Sequence, residues 1–214
     1  MIYVCGGMYR SGSTWLYNSM RLTLEAAGVP DLAVGWITDK DAILRHKNSL
    51  VKIHEFSAEL ASPENVILTS HRDLRDVSAS MHRKYNTRFE LQPLRDTVGA
   101  HAQWARLASY DLHYENLHKD KLRELRGVAA NMRLPEAVVA KLAYEDILQE
   151  IEQQKYSTDR SAGRHFDSVS LLHPGHFTDG RHGSWKKSVP ADFVRAIEKE
   201  FGPWLTARGY PIPS

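Results

Sequence analysis

One stretch restricts the fold more than any other: residues 1–20, MIYVCGGMYRSGSTWLYNSM. Ile2 to Cys5 is a short apolar run rich in β-branched and aromatic residues, the pattern of a buried strand. Gly6, Gly7, Ser11, Gly12, Ser13 and Thr14 follow as a loop of small residues. Beyond it, Trp15, Leu16, Ser19, Met20 and Leu22 recur at helical spacing. Strand, glycine-rich loop and helix in that order hold a phosphate. The loop N–H groups converge on the anion, and the helix N-terminus adds its partial positive charge.

Gly7 and Gly12 have the spacing of the GxxxxGK[ST] loop, but Ser13 occupies the lysine position. A nucleoside-triphosphate enzyme needs that lysine on its β- and γ-phosphates and a Ser or Thr on Mg²⁺. This loop offers Arg10 and a cluster of hydroxyls instead, which suits an anion handled without metal. An ordinary βα turn needs glycines for tight packing, but it needs neither the arginine nor so many small residues together.

The rest of the chain alternates strand and helix signals. A first helix spans 15–28, stopped by Gly28 and Pro30. Residues 31–36 read as irregular and 39–47 as helical. The run 50–54, LVKIH, predicts a second strand, with Lys52 and His54 on one face and Val51 and Ile53 on the other. Residues 66–70, VILTS, form a continuous apolar run, as in a parallel sheet buried on both faces. Arg72 then falls at the carboxyl end of that strand, where open α/β sheets bind ligands. Helices are expected over 74–85, 93–108, 119–132, 135–153 and 191–207, with a short β-like piece at 110–114. Residues 156–172 read as mobile or irregular, and 174–190 as a basic loop with three glycines. This alternation predicts a three-layer α/β/α domain with a central parallel sheet, like that of P-loop nucleoside-triphosphate hydrolases.

At 214 residues the chain is expected to form one domain. A net charge of +2 argues against general nucleic-acid binding, so any basic site is local. The lone cysteine, Cys5, forms no internal disulfide and reads as a small core residue. No apolar run approaches the roughly 20 residues that cross a bilayer, and no signal peptide is evident. The expected location is the cytoplasm, with no membrane partner.

Five motifs in order resemble the sulfotransferases that use 3′-phosphoadenosine 5′-phosphosulfate (PAPS). Tyr9-Arg10-Ser11-Gly12-Ser13-Thr14-Trp15 resembles the 5′-phosphosulfate loop, PKSGTTW or RSGSS. Lys52-Ile53-His54 resembles the K-T-H segment. Ser70-His71-Arg72-Asp73, running to Ser80, resembles the 3′-phosphate motif, with its arginine and serine eight apart. Tyr114-Glu115-Asn116-Leu117 resembles Y-E-D-L, and Gly183-Ser184-Trp185-Lys186 resembles the late G-x-W-K loop. The match spans roughly 2–190, covering one sulfotransferase domain. Tyr144-Glu145-Asp146 reads as a coincidental second copy, because its flanks are wrong.

The resemblance implies in-line transfer of the sulfuryl group from PAPS to a hydroxyl, leaving adenosine 3′,5′-bisphosphate (PAP), with no metal. His54 would be the general base, with Glu55 as competitor, and Lys52 would steady the sulfuryl oxygens. Arg10 would stabilise the leaving 5′-phosphate, and Ser11, Gly12, Ser13 and Thr14 would bind it. Arg72 and Ser80 would bind the 3′-phosphate, with Trp15 and Tyr114 against adenine and Trp185 and Lys186 folded over the nucleotide. The family's R-K-G triplet aligns with Thr178-Asp179-Gly180, which lacks the cations; Arg181, His182 and Gly183 are the nearest substitutes. The acceptor class stays open among phenols, alcohols, small natural products and carbohydrates, as does oligomeric state. The alternatives are a P-loop small-molecule kinase and a non-catalytic nucleotide-binding protein.

Overall fold

The computed structural model describes residues 1–157, 167–172 and 180–212, and the side chains of 155–157 are not among those described. Five strands form one sheet: β1 (Ile2–Cys5), β2 (Leu32–Trp36), β3 (Asn48–Lys52), β4 (Val66–His71) and β5 (Tyr110–His113). Their order is β2-β3-β1-β4-β5, and every pair is parallel. The first strand therefore sits in the centre. Cys5 is level with Lys52 on one side and Leu68 on the other.

Nine α-helical segments lie among the described residues: α1 (Ser13–Ala26), α2 (Lys40–Ile43), α3 (Leu74–Tyr85), α4 (Gln92–Ala105), α5 (Lys121–Ala130), α6 (Glu136–Val139), α7 (Tyr144–Ser157), α8 (Trp185–Ser188) and α9 (Ala191–Ala207). Alternation along the strands sends Tyr3, Cys5, Leu50 and Leu68 into one core layer with α1, α5 and α7. Val4, Val51, Ile67 and Ile53 go to the other face, against Trp104 of α4. A third cluster joins α3, α4 and α9 around Met8 and Leu74. Two covered faces make the expected three-layer α/β/α architecture.

Several boundaries differ from the sequence reading. Residues 31–36 are not irregular: 32–36 form β2. This edge strand is only partly buried, so it lacks a strong apolar run, and pairing with β3 decides its state. The expected helix at 39–47 is a 3₁₀ turn followed by one α-turn. The second strand candidate ends at Lys52, two residues early, so His54 occupies a bend beyond the sheet. The stretch 135–153 splits into α6 and α7, with the Tyr144 hydroxyl donating across the break to the Val139 carbonyl at 3.0 Å. Of the segments read as irregular or basic loop, 158–166 and 173–179 lie outside the described residues, Thr178 and Asp179 included.

Candidate active site

Chain reversal beside the central strand puts one crevice at the carboxyl ends of β1, β3 and β4, the switch point of an open parallel sheet. The loop after β1 is shaped by close approach. A Cβ at Gly12 would lie 2.8 Å from the Tyr114 ring, and Gly12 is left-handed at φ 80°. Arg10 is also left-handed, at φ 57°, which is costly for a residue with a Cβ. Two contacts hold it there. Its Nε donates to Ser80 Oγ at 2.9 Å, and its carbonyl accepts from Arg72 Nη1 at 3.2 Å. Helix α1 then starts with no side-chain cap, leaving its first-turn N–H groups without that partner.

A cavity of about 680 Å³ occupies the crevice. Arg10, Gly12, Ser13, Thr14, Trp15, Lys52, His54, Arg72, Ser80, Tyr114 and Arg181 all line it, so eleven residues expected at the site meet there. Arg72 is buried and acts as a clasp. Its guanidinium lies 4.1 Å from the Tyr114 ring centroid, and Nη2 donates to the Arg181 carbonyl at 2.6 Å. Asp73 pairs instead with Arg75 at 2.7 Å, so neither it nor Asp76 neutralises Arg72. The Tyr114 hydroxyl donates to the Gly180 carbonyl at 2.8 Å. Two buried donors, Trp15 Nε1 and Arg72 Nε, have no hydrogen-bond partner among the described residues. Buried donors in that state suit an acceptor-rich ligand, such as a nucleotide phosphate.

Lys52 ends β3 beside Cys5, is fully desolvated, and donates to Thr14 Oγ1. Burial, reinforced by Arg10, lowers its pKa to about 8. His54 reaches the cavity through the bend after β3. Its Nδ1 lies 2.6 Å from the Gly7 carbonyl, which can only accept, so Nδ1 carries the proton and Nε2 is the basic nitrogen. Tyr9 packs on its ring at 4.0 Å. Burial and the nearby Lys52 charge lower the His54 pKa to about 3, so the ring is neutral.

Other expectations fail on contact. Ser11 turns inward, its Oγ 2.7 Å from both the Met8 carbonyl and Ser70 Oγ, so the hydroxyl anchors the loop to β4 and does not face the cavity. His182 and Gly183 do not line it either. His182 packs on His118 at 5.0 Å, and the Gly183 N–H donates to Asp76 Oδ2 at 2.5 Å. Asp76 also accepts from the Trp185 N–H and the Ser184 hydroxyl, which turns the late loop onto α3. Trp185 consequently stacks on Arg75 at 4.3 Å, with Lys186 5.8 Å from its ring, and Trp185 is not over the cavity. Glu55, the competing base, lies beyond the end of β3 and does not line this cavity; it accepts from the Tyr9 hydroxyl at 2.6 Å.

The cavity also holds residues that the sequence reading missed: Asn18, Trp36, His118, Lys121, Glu152, Leu171 and Leu172. Lys121 had a legible signal, a cation at the start of a helix four residues after the Tyr-Glu-Asn-Leu motif. Leu171 and Leu172 had none. They arrive because Tyr17 and Asn18 of α1 donate at 2.9 Å to the carbonyls of Val169 and Ser170.

Behind β4 and β5 lies a separate buried network. Asp111 contacts His71 Nδ1 at 2.9 Å and His101 Nε2 at 3.2 Å. Arg208 Nη2 sits 3.3 Å from His101 Nδ1 and can only donate, so His101 gives its Nε2 proton to Asp111. That tautomer makes the group an ion and hydrogen-bond network, with the His101 Nε2 lone pair unavailable to a metal.

Neither a protein-family model nor a curated protein matches the sequence. Solved structures do match. Mouse sulfotransferase SULT7A1 complexed with PAP superposes with a TM-score of 0.66 at 13% identity, over 96% of this chain and 83% of that one. Retinol dehydratase matches in its complex with retinol and PAP (TM-score 0.61, 14% identity, 99% and 83% covered). It matches again in its complex with androsterone and PAP (0.60, 16%, 99% and 82%). The chain has the sulfotransferase fold. No helix among the described residues is long and apolar enough to cross a membrane.

Proposed function

We propose that the protein is a PAPS-dependent sulfotransferase acting on a hydroxyl acceptor. The observation that carries the reading is the convergence of Arg10, Lys52, His54, Arg72 and Ser80 on one cavity in this fold. A doubly phosphorylated adenosine has two anionic ends. Arg10 and the uncapped start of α1 suit the 5′ end, and Arg72 and Ser80 suit the 3′ end. PAP in the three similar structures supports the same nucleotide here.

In this reading His54 Nε2 takes the acceptor's proton while the acceptor oxygen forms its bond to sulfur. The bond from sulfur to the bridging 5′-phosphate oxygen breaks, and its electron pair stays on that oxygen. Arg10 stabilises the resulting charge; a guanidinium donates hydrogen bonds but keeps its proton. Lys52, already beside Thr14, adds a second cation at the loop. The Gly7 carbonyl holds the His54 tautomer that leaves Nε2 free to act.

Thermal shift tests this directly. PAP without Mg²⁺ is expected to raise Tm more than ATP with Mg²⁺, and labelled sulfate to pass from PAPS to a member of an acceptor panel. The opposite ranking would favour a P-loop kinase. Stabilisation by PAP with no transfer to any acceptor would favour a nucleotide-binding protein without catalysis.

A further inference from the structure

His54, Tyr9 and Tyr85 form a wall shared by two cavities. The second, about 670 Å³, has the size of a site for a small organic molecule. Met8, Met81, Pro93 and the Tyr85 ring give it apolar surface. Its charged groups are Glu55, Glu90 and Asp96 against Arg88, so three carboxylates and one guanidinium leave two net negative charges. Glu55 stays ionised: burial works upward, but the hydrogen bond from Tyr9 together with backbone donors at the bend outweighs it, and the carboxyl sits below its usual range. His54 adds no charge, being neutral.

The first cavity has the opposite balance. Arg10, Lys52, Arg72, Lys121 and Arg181 face Glu152 as the lone carboxylate among its described lining residues. The two cavities thus carry opposite signs across one neutral histidine. An anionic acceptor is drawn into the nucleotide's own cavity and competes there. A cation is repelled from that side and attracted to the other, which leaves its uncharged end toward His54. Discrimination of this kind comes from repulsion on the wrong side as much as attraction on the right one.

We infer that the second cavity selects an acceptor with an apolar body, a hydroxyl at one end and an ammonium group at the other. The inference rests on the sulfotransferase reading for the role of His54, but the charge preference of the cavity can be measured without it.

Three para-substituted phenols of similar length differ chiefly in the charge at the end remote from the hydroxyl: tyramine, 4-ethylphenol and 3-(4-hydroxyphenyl)propanoate. Calorimetry at pH 7.5, with and without saturating PAP, is expected to give tyramine about tenfold tighter binding than 4-ethylphenol, with the propanoate weakest. The double variant Glu90→Gln/Asp96→Asn is expected to bring tyramine within about twofold of 4-ethylphenol. PAP binding by the same variant serves as the check that it folds. Equal or tighter binding of the neutral or anionic probe overturns the inference, as does a failure of all three to bind or a variant that keeps the preference. Failure of PAP to bind would instead remove the nucleotide reading, and the titrations without PAP would still decide the charge preference.

Discussion

Arg10 Nε donates to Ser80 Oγ at 2.9 Å, joining the loop after β1 to the second turn of α3 across the mouth of the cavity. The two residues are seventy positions apart, and they carry the roles assigned to opposite phosphates of one nucleotide. Each therefore sets where the other can meet an anion. A double-mutant cycle of Arg10→Ala and Ser80→Ala, read in PAP dissociation constants, is expected to give a coupling of roughly 0.5–1.5 kcal/mol. Strictly additive losses would mean the two act on separate ligands.

Arg72 combines a positive charge with three structural contacts, to Arg10, Arg181 and Tyr114. Truncation to alanine is expected to weaken PAP by about 10- to 100-fold, the range of a lost charge-assisted hydrogen bond. AMP, which lacks the 3′-phosphate, should lose much less. Arg72→Lys keeps the charge but cannot bridge two carbonyls with a planar fork, so it should fall between. Equal weakening of PAP and AMP would take Arg72 off the 3′-phosphate.

His54 is expected to matter for transfer and little for nucleotide binding. His54→Ala should lower kcat by about 10²- to 10⁴-fold, with PAP affinity within about threefold of the parent. The pH profile of kcat/KM reports the free protein. Because the folded His54 pKa lies near 3, the acid limb should fall well below the ordinary histidine value of 6.5. A limb centred on 6.5 would point to a different base.

The network behind the sheet predicts acid sensitivity of the fold. Bonds from His101 and His71 outweigh burial and hold the Asp111 carboxyl far below its usual range. A depressed carboxylate pKa contributes stability that is present above the unfolded value and lost as pH falls toward the folded one. His101 works in the same direction, because burial lowers its pKa and only the unfolded chain takes up its proton as pH drops through 6.5. Asp111→Asn is expected to cost about 1–3 kcal/mol at pH 7 in denaturant melts, with the gap to the parent shrinking below pH 4. A constant gap across that range would show that the carboxylate charge is irrelevant.

Much of the site was legible because its residues lie just past apolar strands. Arg10, Lys52 and Arg72 follow or end β1, β3 and β4, and a parallel sheet brings those ends together without further information. Helix α3 matched its expected span because Asp73 caps it with an acceptor for the Arg75 N–H at 3.0 Å. The misses have a common cause. β2 exists through pairing with β3, the inward turn of Ser11 depends on Ser70, and the late loop's direction depends on Asp76. Each is a tertiary contact between segments far apart in the chain, and periodicity along one segment carries no trace of it. The late loop shows the effect most clearly: a motif that resembled a nucleotide cover folds its tryptophan onto Arg75.

The buried lysine supplies the last test. Lys52 titrates near pH 8 in the free protein, because burial and the Arg10 charge disfavour the ammonium. An anionic nucleotide in the same cavity favours it, so binding should raise the pKa and draw in a proton. At pH 8 about half of the free molecules lack that proton, and PAP binding should take up roughly half a proton per site. At pH 6.5 the lysine is already charged and its contribution should vanish. Calorimetric enthalpies in buffers of different ionisation heat measure the uptake. Lys52→Met should abolish the pH 8 component. Uptake that is absent at pH 8, or unchanged in that variant, would mean the ammonium does not face the bound anion.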